Sequence, residues 1–352
     1  MEDIKVTLKD IADKAHVSVP LVSRVLNNRP VRVSEQKREQ ILRIADELEY
    51  IPTGKLLSFN PLPQLNKTIG LILPLAGYLF MSELTESISQ IAYENGYSLL
   101  IFDTQEDSAL EFHYLKLCHT LNVSGIILDS FADANSLKYV KLMKEWGIPF
   151  VFVDCYPNVE DCSIISSKNK QAMSLLTENL IQKGHTKILS IIQNKSTLTN
   201  VSMERLNGYY EAMDKHHLEG YNAIIYPNRD YTQQPIFSLL NSSIEFTAFL
   251  IHTGADVDHF CDLILPTRYY KEHIDFSIGV FDDFNIPFLE YNTGIRRSIY
   301  HRITSVISQR PQEIGKWAID TLLNNIKNEG RFSYVQKFID CDLVDLDQQR
   351  RQ

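Results

Sequence analysis

An all-α headpiece of three short helices, followed by an α/β core of two doubly wound parallel-sheet subdomains, is the fold class this sequence predicts. Three observations carry it. Helical periodicity fills the first fifty residues, a stretch broken by Gly and Pro follows from Thr53 to Lys67, and β-rich apolar runs then alternate with amphipathic helical stretches. The length of 352 residues suits two to three domains at about 150 residues each. With 44% apolar and 22% charged residues the chain has material for cores that disordered or fibrous classes lack.

The first helix starts at Leu8. Thr7-Leu8-Lys9-Asp10 has the form of a capping box, in which the Thr oxygen accepts a free first-turn N–H and the carboxylate three residues on accepts the Thr amide. Leu8, Ile11, Ala12 and Ala15 fall at i, i+3, i+4 and i+7 on one face. Ser18 can cap a second helix, where Pro20 is tolerated because first-turn amides have no intrahelical acceptor. There Val22, Val25 and Leu26 make the inner face and leave Val19, Pro20, Ser23, Arg24 and Asn27 pointing elsewhere. A third helix follows Ser34, with Ile41, Leu42, Ile44, Ala45 and Leu48 as its apolar stripe.

Charge divides along the chain in a telling way. Residues 1–60 carry 10 Lys/Arg and 9 Asp/Glu, and the remainder 25 and 35, so the net −9 belongs to the large part. Between Arg24 and Arg43 six basic residues (Arg24, Arg29, Arg32, Lys37, Arg38, Arg43) face only Glu35 and Glu39. Two short helices joined by a tight turn and braced by a third are what a helix-turn-helix needs, and such a strip suits nucleic acid. A generic three-helix bundle would show the same periodicity. The wording of the sequence goes further: Thr7-Leu8-Lys9-Asp10-Ile11-Ala12, Val17-Ser18, Val22-Ser23-Arg24-Val25-Leu26-Asn27, Ile41-Leu42 and Leu48-Glu49-Tyr50-Ile51-Pro52 closely resemble the DNA-binding headpiece of the lactose/galactose repressor (LacI/GalR) family.

That resemblance implies roles. The second helix would lie in the major groove, with Val19, Pro20 and Arg24 facing bases and Thr7, Ser23 and Asn27 facing phosphates. Arg24 suits the task, since guanidinium meets guanine O6 and N7 in a bidentate way. Val19 and Pro20 have no side-chain donors and read only shape or a thymine methyl. Leu21 departs from the family, which usually has Thr there. In the connector the family has a hinge helix that wedges a leucine into the minor groove; Phe59 falls at the wedge, with Leu56 and Leu57 nearby, while Gly54, Pro61 and Pro63 disfavour a helix of useful length.

The core strands are read from apolar runs at 69–73, 98–102, 125–128, 150–153, 188–192, 223–226, 248–251 and 277–281. Runs of this kind separated by helices mean parallel sheets covered on both faces, and their two blocks divide into two similar subdomains with a cleft beyond the strand C-termini. Gly96-Tyr97-Ser98, Val123-Ser124-Gly125, Gly147-Ile148-Pro149, Gly184-His185, Arg205-Leu206-Asn207-Gly208-Tyr209, Phe281-Asp282-Asp283 and Gln309-Arg310-Pro311 extend the resemblance over nearly the whole chain. It implies a periplasmic-binding-protein-like core and these boundaries: a helix-turn-helix domain over 1–52, a linker over 53–67, and an effector-binding and dimerisation core over 68–352. Within the core, one subdomain takes about 68–165 with 309–334 and the other about 166–308 with 335–352.

Effector residues follow from the same resemblance. Arg205 matches the arginine that hydrogen-bonds the effector, Asp129, Asp154 and Asp282 match polar positions at strand ends, and Tyr78 or Phe80 can cover a sugar ring. Where the family has V-D-N the chain has Ser167-Lys168-Asn169, and Thr253-Gly254 replaces Asn-Asp. The lost acid and the gained Lys168 turn the expectation toward an acidic or phosphorylated ligand, or toward drifted binding. His185 is expected to be a structural turn residue.

Several classes are disfavoured. Cys118, Cys155, Cys162, Cys261 and Cys341 are odd in number and form no C-x-x-C pair, and no H-E-x-x-H is present, so no disulfide framework, metal or cofactor is expected. G-x-G-x-x-G, G-x-S-x-G and P-loop patterns are missing, which argues against an enzyme. The stretch from Thr68 to Ser82 is too short and too broken to span a membrane, and the acidic start does not suit a signal peptide, so a cytoplasmic protein is expected. The function expected is that of a homodimeric, DNA-binding transcription repressor of a carbohydrate-utilisation operon, controlled by a sugar in the cleft and acting on double-stranded operator DNA. The Leu48-Glu49-Tyr50 ending and the poor hinge resemble galactoside-responsive members. The alternative is a cytosolic sugar-binding module without specific DNA binding.

Overall fold

The computed structural model describes residues 6–26, 31–48, 50, 67–74, 79–130, 136–193, 199–225, 234–282, 295–328 and 332–350. The chain divides into a smaller unit holding the N-terminal helices and a larger α/β unit.

In the smaller unit α1 (Leu8–Ala15), α2 (Val19–Leu26) and α3 (Glu35–Glu47) close around Ile11, Ala12, Ala15, Val22, Val25, Ile41, Ile44 and Ala45. Three of those eight are alanines, which lets short helices approach closely enough to exclude water with little apolar volume. The capping box forms: the Thr7 amide donates to Asp10 Oδ2 at 2.7 Å and the Asp10 amide to Thr7 Oγ1 at 3.4 Å. His16 ends α1 in the left-handed region at φ 53°, turning the chain into α2. Leu42 leaves the expected stripe and stands 45% exposed, because one residue after Ile41 is a step of about 100° around the helix.

In the larger unit the first sheet contains β1 (Thr68–Leu73), β2 (Ser98–Asp103), β3 (Gly125–Leu128), β4 (Phe150–Val153), β5 (Ser163–Ser167) and β11 (Gln336–Ile339). The second contains β6 (Ile188–Gln193), β7 (Tyr221–Ile225), β8 (Ala248–Ile251), β9 (Ser277–Phe281), β10 (Ile303–Ser308) and β12 (Asp342–Asp345). Their orders repeat one plan: β2-β1-β3-β4-β5-β11 and β7-β6-β8-β9-β10-β12. All pairs in the first sheet are parallel, and in the second only β12 runs antiparallel, to β10. Residues 336–339, expected in the second subdomain, pair with β5 of the first, so the chain returns to the second sheet after residue 339.

Helices α4 (Leu79–Glu94), α5 (Ser108–Thr120) and α6 (Ser136–Glu145) alternate with the strands of the first sheet. Helices α7 (Asn169–Gln182), α8 (Asn200–Lys215), α9 (Gln234–Leu240), α10 (Val257–Ile264), α11 (Arg268–Lys271) and α12 (Ile295–Tyr300) do so for the second, and α13 (Pro311–Lys327) and α14 (Leu346–Gln349) follow. The second sheet is covered on both faces: Phe249, Ile251 and Val280 pack with α9 and α10, while Ala248, Leu250 and Phe281 pack with α7 and α8. Burial on both faces is why these strands read as continuous apolar runs. Among the described residues no helix is long and apolar enough to cross a membrane.

Three short segments carry the chain from sheet to sheet: Lys168 after β5, Gln309-Arg310 after β10, and Asp340-Cys341 after β11. They are tied to each other or to the strand that follows. Lys168 Nζ meets Asp340 Oδ1 at 2.6 Å, Arg310 grips Asp342 through two bonds of 2.7 and 2.8 Å, and the Ser167 hydroxyl donates to the Gln309 amide oxygen. Lys168 is therefore engaged by a neighbouring crossover, and the expectation that it gives the cleft a positive charge does not hold.

Candidate functional site

Two sets of side chains stand out, one exposed and one buried. On α2 the outward arc carries Val19, 38% exposed, with Pro20 and Arg24 also exposed and Ser23 half-buried. At about 100° per residue, positions 19, 20, 23 and 24 share one side of a helix whose other side holds Val22 and Val25. Thr7 is exposed, and its hydroxyl is held against Asp10 Oδ2 at 2.6 Å, which keeps that carboxyl below its usual range. Lys37 of the basic strip spends its ammonium on the Ala15 carbonyl at 2.9 Å and Gln40 at 3.0 Å, leaving Arg24, Arg32 and Arg43 as exposed cations among the described residues of that strip, the last 3.7 Å from Glu47. Asn27 and Phe59 lie outside the described residues, as does the connector from 53 to 66.

The buried set lies beyond the C-terminal ends of both sheets. Asp129 follows β3, Asp154 follows β4, His252 follows β8, Asp282 follows β9 and Gln309 follows β10, each the first residue past its strand. Asp154 at φ 53° and Asp282 at φ 78° take the left-handed conformation, which swings the chain off the strand at a cost Asp tolerates better than most residues.

Arg205 of α8 is the centre of the set. Its Nε donates to Asn169 Oδ1 at 2.8 Å, its Nη1 to the His252 carbonyl at 2.5 Å, and Nη1 lies 3.7 Å from Asp282 Oδ2. The guanidinium stacks 3.7 Å from the centre of the Phe281 ring. Gly208 makes this placement possible. A Cβ there would collide with the Lys170 carbonyl oxygen and lie 3.1 Å from the Ser174 amide nitrogen, so only glycine lets α8 lie flat against α7 and bring Arg205 to Asn169 at the start of α7. Asn169 is fixed in turn by its donation to the Ser167 carbonyl at 3.1 Å. Gln309 donates to Asp282 Oδ1 while accepting from Ser167, so one crossover residue touches both the acid and the end of β5, which leads into another crossover.

The first sheet contributes Asp129 and Asp154. Asp129 Oδ1 accepts the Cys155 amide at 3.1 Å, and Oδ1 of Asp154 is buried without a hydrogen-bond partner among the described residues. Burial and the neighbouring Asp154 charge push Asp129 well above the usual carboxyl range, and burial, partly offset by Arg205, pushes Asp154 up to about 6. Burial also drives His252 down to about 3, which makes it a neutral imidazole whose Nε2 shares a 2.8 Å bond with the Ser190 hydroxyl. Asp129, Asp154 and Cys155 offer two oxygens and a sulfur, all within 4.8 Å of one another, but burial and the adjacent acids hold the thiol protonated. Contacts between the two sheets' residues complete the set: the Tyr156 hydroxyl donates to Glu204 at 2.7 Å and the Tyr156 amide to Asn200 Oδ1 at 3.2 Å.

Of the effector residues expected from sequence, the structure brings together Asp129, Asp154, Arg205 and Asp282. Phe80 is half-buried near the start of α4 and leans on the first-sheet core, and Tyr78 lies outside the described residues. Asn169, Tyr156, Glu204, His252 and Gln309 were not nominated. A polar residue immediately after a predicted strand is the signal that would have found His252 and Gln309.

Residues 7–53 match a family described as bacterial regulatory proteins, lacI family, and residues 66–245 one described as periplasmic binding proteins and sugar binding domain of LacI family. The chain is 25% identical over 324 residues to the HTH-type transcriptional repressor PurR of Aliivibrio salmonicida, covering 92% of this chain and 93% of that protein. It is 31% identical over 209 residues to the ribose operon repressor of Halalkalibacterium halodurans, covering 59% of this chain and 60% of that one. Among solved structures, the lac repressor dimer bound to operator and the anti-inducer ONPF shares the fold with a TM-score of 0.61 at 21% identity, over 97% of this chain and 98% of that chain.

Proposed function

The chain belongs to the LacI family of bacterial regulatory proteins, and from that premise we propose that it represses a carbohydrate-utilisation operon, reading operator DNA with α2 and holding a sugar effector in the polar cluster between its two sheets. The observation that carries the effector half is Arg205, a buried guanidinium held by Asn169, His252, Phe281 and Asp282 beyond the strand ends, where open α/β sheets bind ligands. Fixed donors and carboxyl acceptors of this kind suit paired sugar hydroxyls. The ribose operon repressor among its relatives supports a carbohydrate pathway, and a galactoside is the first effector to try.

The DNA half rests on the exposed arc. Arg24 reads a guanine edge, Val19 and Pro20 supply shape, and Thr7, Ser23 and Asn27 set register on phosphates. Phe59 is the candidate minor-groove wedge, and Tyr78 or Phe80 the candidate cover of a sugar ring. Residues 1–52 serve as the DNA-binding domain, 53–67 as the linker and 68–352 as the core. Two copies of the chain present two such helices to a pseudo-palindromic site, as the lac repressor dimer on its operator supports. Because the chain acts on DNA, it works in the cytoplasm, and the acids of the cluster bind rather than catalyse.

Coupling follows from the crossovers. Gln309 joins Asp282 to Ser167, so a ligand that draws on Asp282 also loads the segments about which the subdomains rotate. Linkage is reciprocal, and a ligand that weakens DNA binding is itself bound more weakly by the DNA complex.

The test is selection from random-sequence duplexes at fixed moderate salt with nonspecific competitor. A two-fold symmetric enriched site is expected. No enrichment from a folded, dimeric sample contradicts the proposal and favours a sugar-binding module.

A further inference from the structure

Three carboxyl groups of the cluster, Asp129, Asp154 and Asp282, share one guanidinium. Arg205 is committed to Asp282, 3.7 Å away, and Asp282 takes a further bond from Gln309. That leaves Asp129 and Asp154, whose oxygens approach within 4.8 Å, without an ion-paired cation among the described residues. Asp154 is only 9% exposed, and its Oδ1 has no hydrogen-bond partner among the described residues. An unpartnered buried carboxyl oxygen is costly, and a ligand that donates to it removes that cost.

The surrounding charges deepen the deficit. Glu204 stands next to Arg205 on α8 and adds a negative charge that Asp154 feels, as does Asp282. Glu111 adds another at Asp129. His252 is neutral, and Lys168 is paired with Asp340 at 2.6 Å. Burial and these neighbouring acids raise both carboxyls of the pair, Asp129 well above the usual range and Asp154 to about 6, so negative charge is held there against opposition that a cation would relieve.

We propose that the cleft selects an effector bearing a protonated amine, an amino sugar rather than a neutral one, with the ammonium seated against Asp154 Oδ1 and the Asp129 carboxyl. This rests on the cleft being the effector site. An ammonium brings three donors and a full charge, so its bonds to carboxylates are charge-assisted. A sugar hydroxyl brings one donor and leaves the buried charge in place.

Calorimetric titration of the full chain at pH 7.5 with D-galactosamine, D-galactose and N-acetyl-D-galactosamine, and with the three gluco counterparts, tests it. The amine is expected to bind at least tenfold more tightly than the parent sugar and the N-acetyl form. Asp154→Asn should reduce that preference below twofold, and Asp129→Asn supplies the same readout if the first variant fails to fold. Neutral sugars bound as tightly as amines, in a manner that Arg205→Leu abolishes, would overturn the amine preference and leave the effector site standing. No binding of any of the six would overturn both. Saturable Mn²⁺ binding that Asp154→Asn removes, with no amine preference, would assign the pair to a metal and overturn the proposal.

Discussion

The small helical unit keeps its distinctive side chains outside and the α/β unit hides its own. Val19, Pro20 and Arg24 are exposed over a core that includes three alanines, whereas Arg205 is 5% exposed and Asp154 9%. An exposed functional residue costs its fold little, because water solvates it when no partner is bound. A buried one must be balanced inside the protein at all times. Substitutions at the two sites should therefore differ in kind, changing recognition alone in the first and recognition together with stability in the second.

The strongest break in that contrast is Arg205→Leu. Removing one partner of a buried ion pair typically costs about 3–5 kcal/mol, and here it also takes away the donor to Asn169 Oδ1 and to the His252 carbonyl. Both tryptophans, Trp146 and Trp317, lie in the core sequence, so urea unfolding followed by tryptophan fluorescence reads the loss. An unchanged midpoint would mean that the cluster is not electrostatically committed.

Asp154→Asn sharpens the contrast through pH. Burial raises this acid from 3.8 to about 6, so the folded core holds the proton more tightly than the unfolded chain. Stability from this group is complete below about pH 4 and is lost as pH rises through 6, reaching about 3 kcal/mol by pH 7.5. Asn does not titrate, so the variant should gain on the wild type by about that amount between pH 4 and 7.5. His252, pushed down to about 3, has the opposite slope in both proteins and cancels from the difference. A difference flat in pH would contradict the assignment.

Thr7→Ala gives a smaller effect confined to the helical unit. Loss of the cap costs α1 about 1 kcal/mol, visible as faster amide exchange at Ile11, Ala12 and Ala15 with the tryptophan transition unmoved.

Legibility followed the same division. In the helical unit the leftover positions of each amphipathic helix are the outward ones, so periodicity alone located Val19, Pro20, Ser23 and Arg24. In the core, eight strands were visible as apolar runs. β5 was not, since Ser163-Ile164-Ile165-Ser166-Ser167 has only two apolar residues. Its serines are buried because they hydrogen-bond: Ser163 Oγ accepts the Val335 amide at 3.2 Å and Ser166 donates to the Asp154 carbonyl at 2.9 Å. β12 escaped because two of its four residues are Asp and it sits at a sheet edge. The cluster was half legible. Family resemblance pointed to Arg205 and the acids, but Asn169, His252 and Gln309 meet Arg205 and Asp282 from 27 to 47 residues away in sequence, a distance no local pattern spans. Lys168 misled because charge can be counted in a sequence while its partner, Asp340, cannot be seen there.

Fluorescence anisotropy with the enriched duplex and a scrambled one, comparing wild type with Arg24→Ala at fixed salt, tests the central claim most directly. An exposed arginine that reads a base predicts a loss of roughly 1–3 kcal/mol, about 5- to 150-fold, on the enriched duplex, less than twofold on the scrambled one, and an unchanged unfolding midpoint. Equal losses on both duplexes, or none on either, would contradict it.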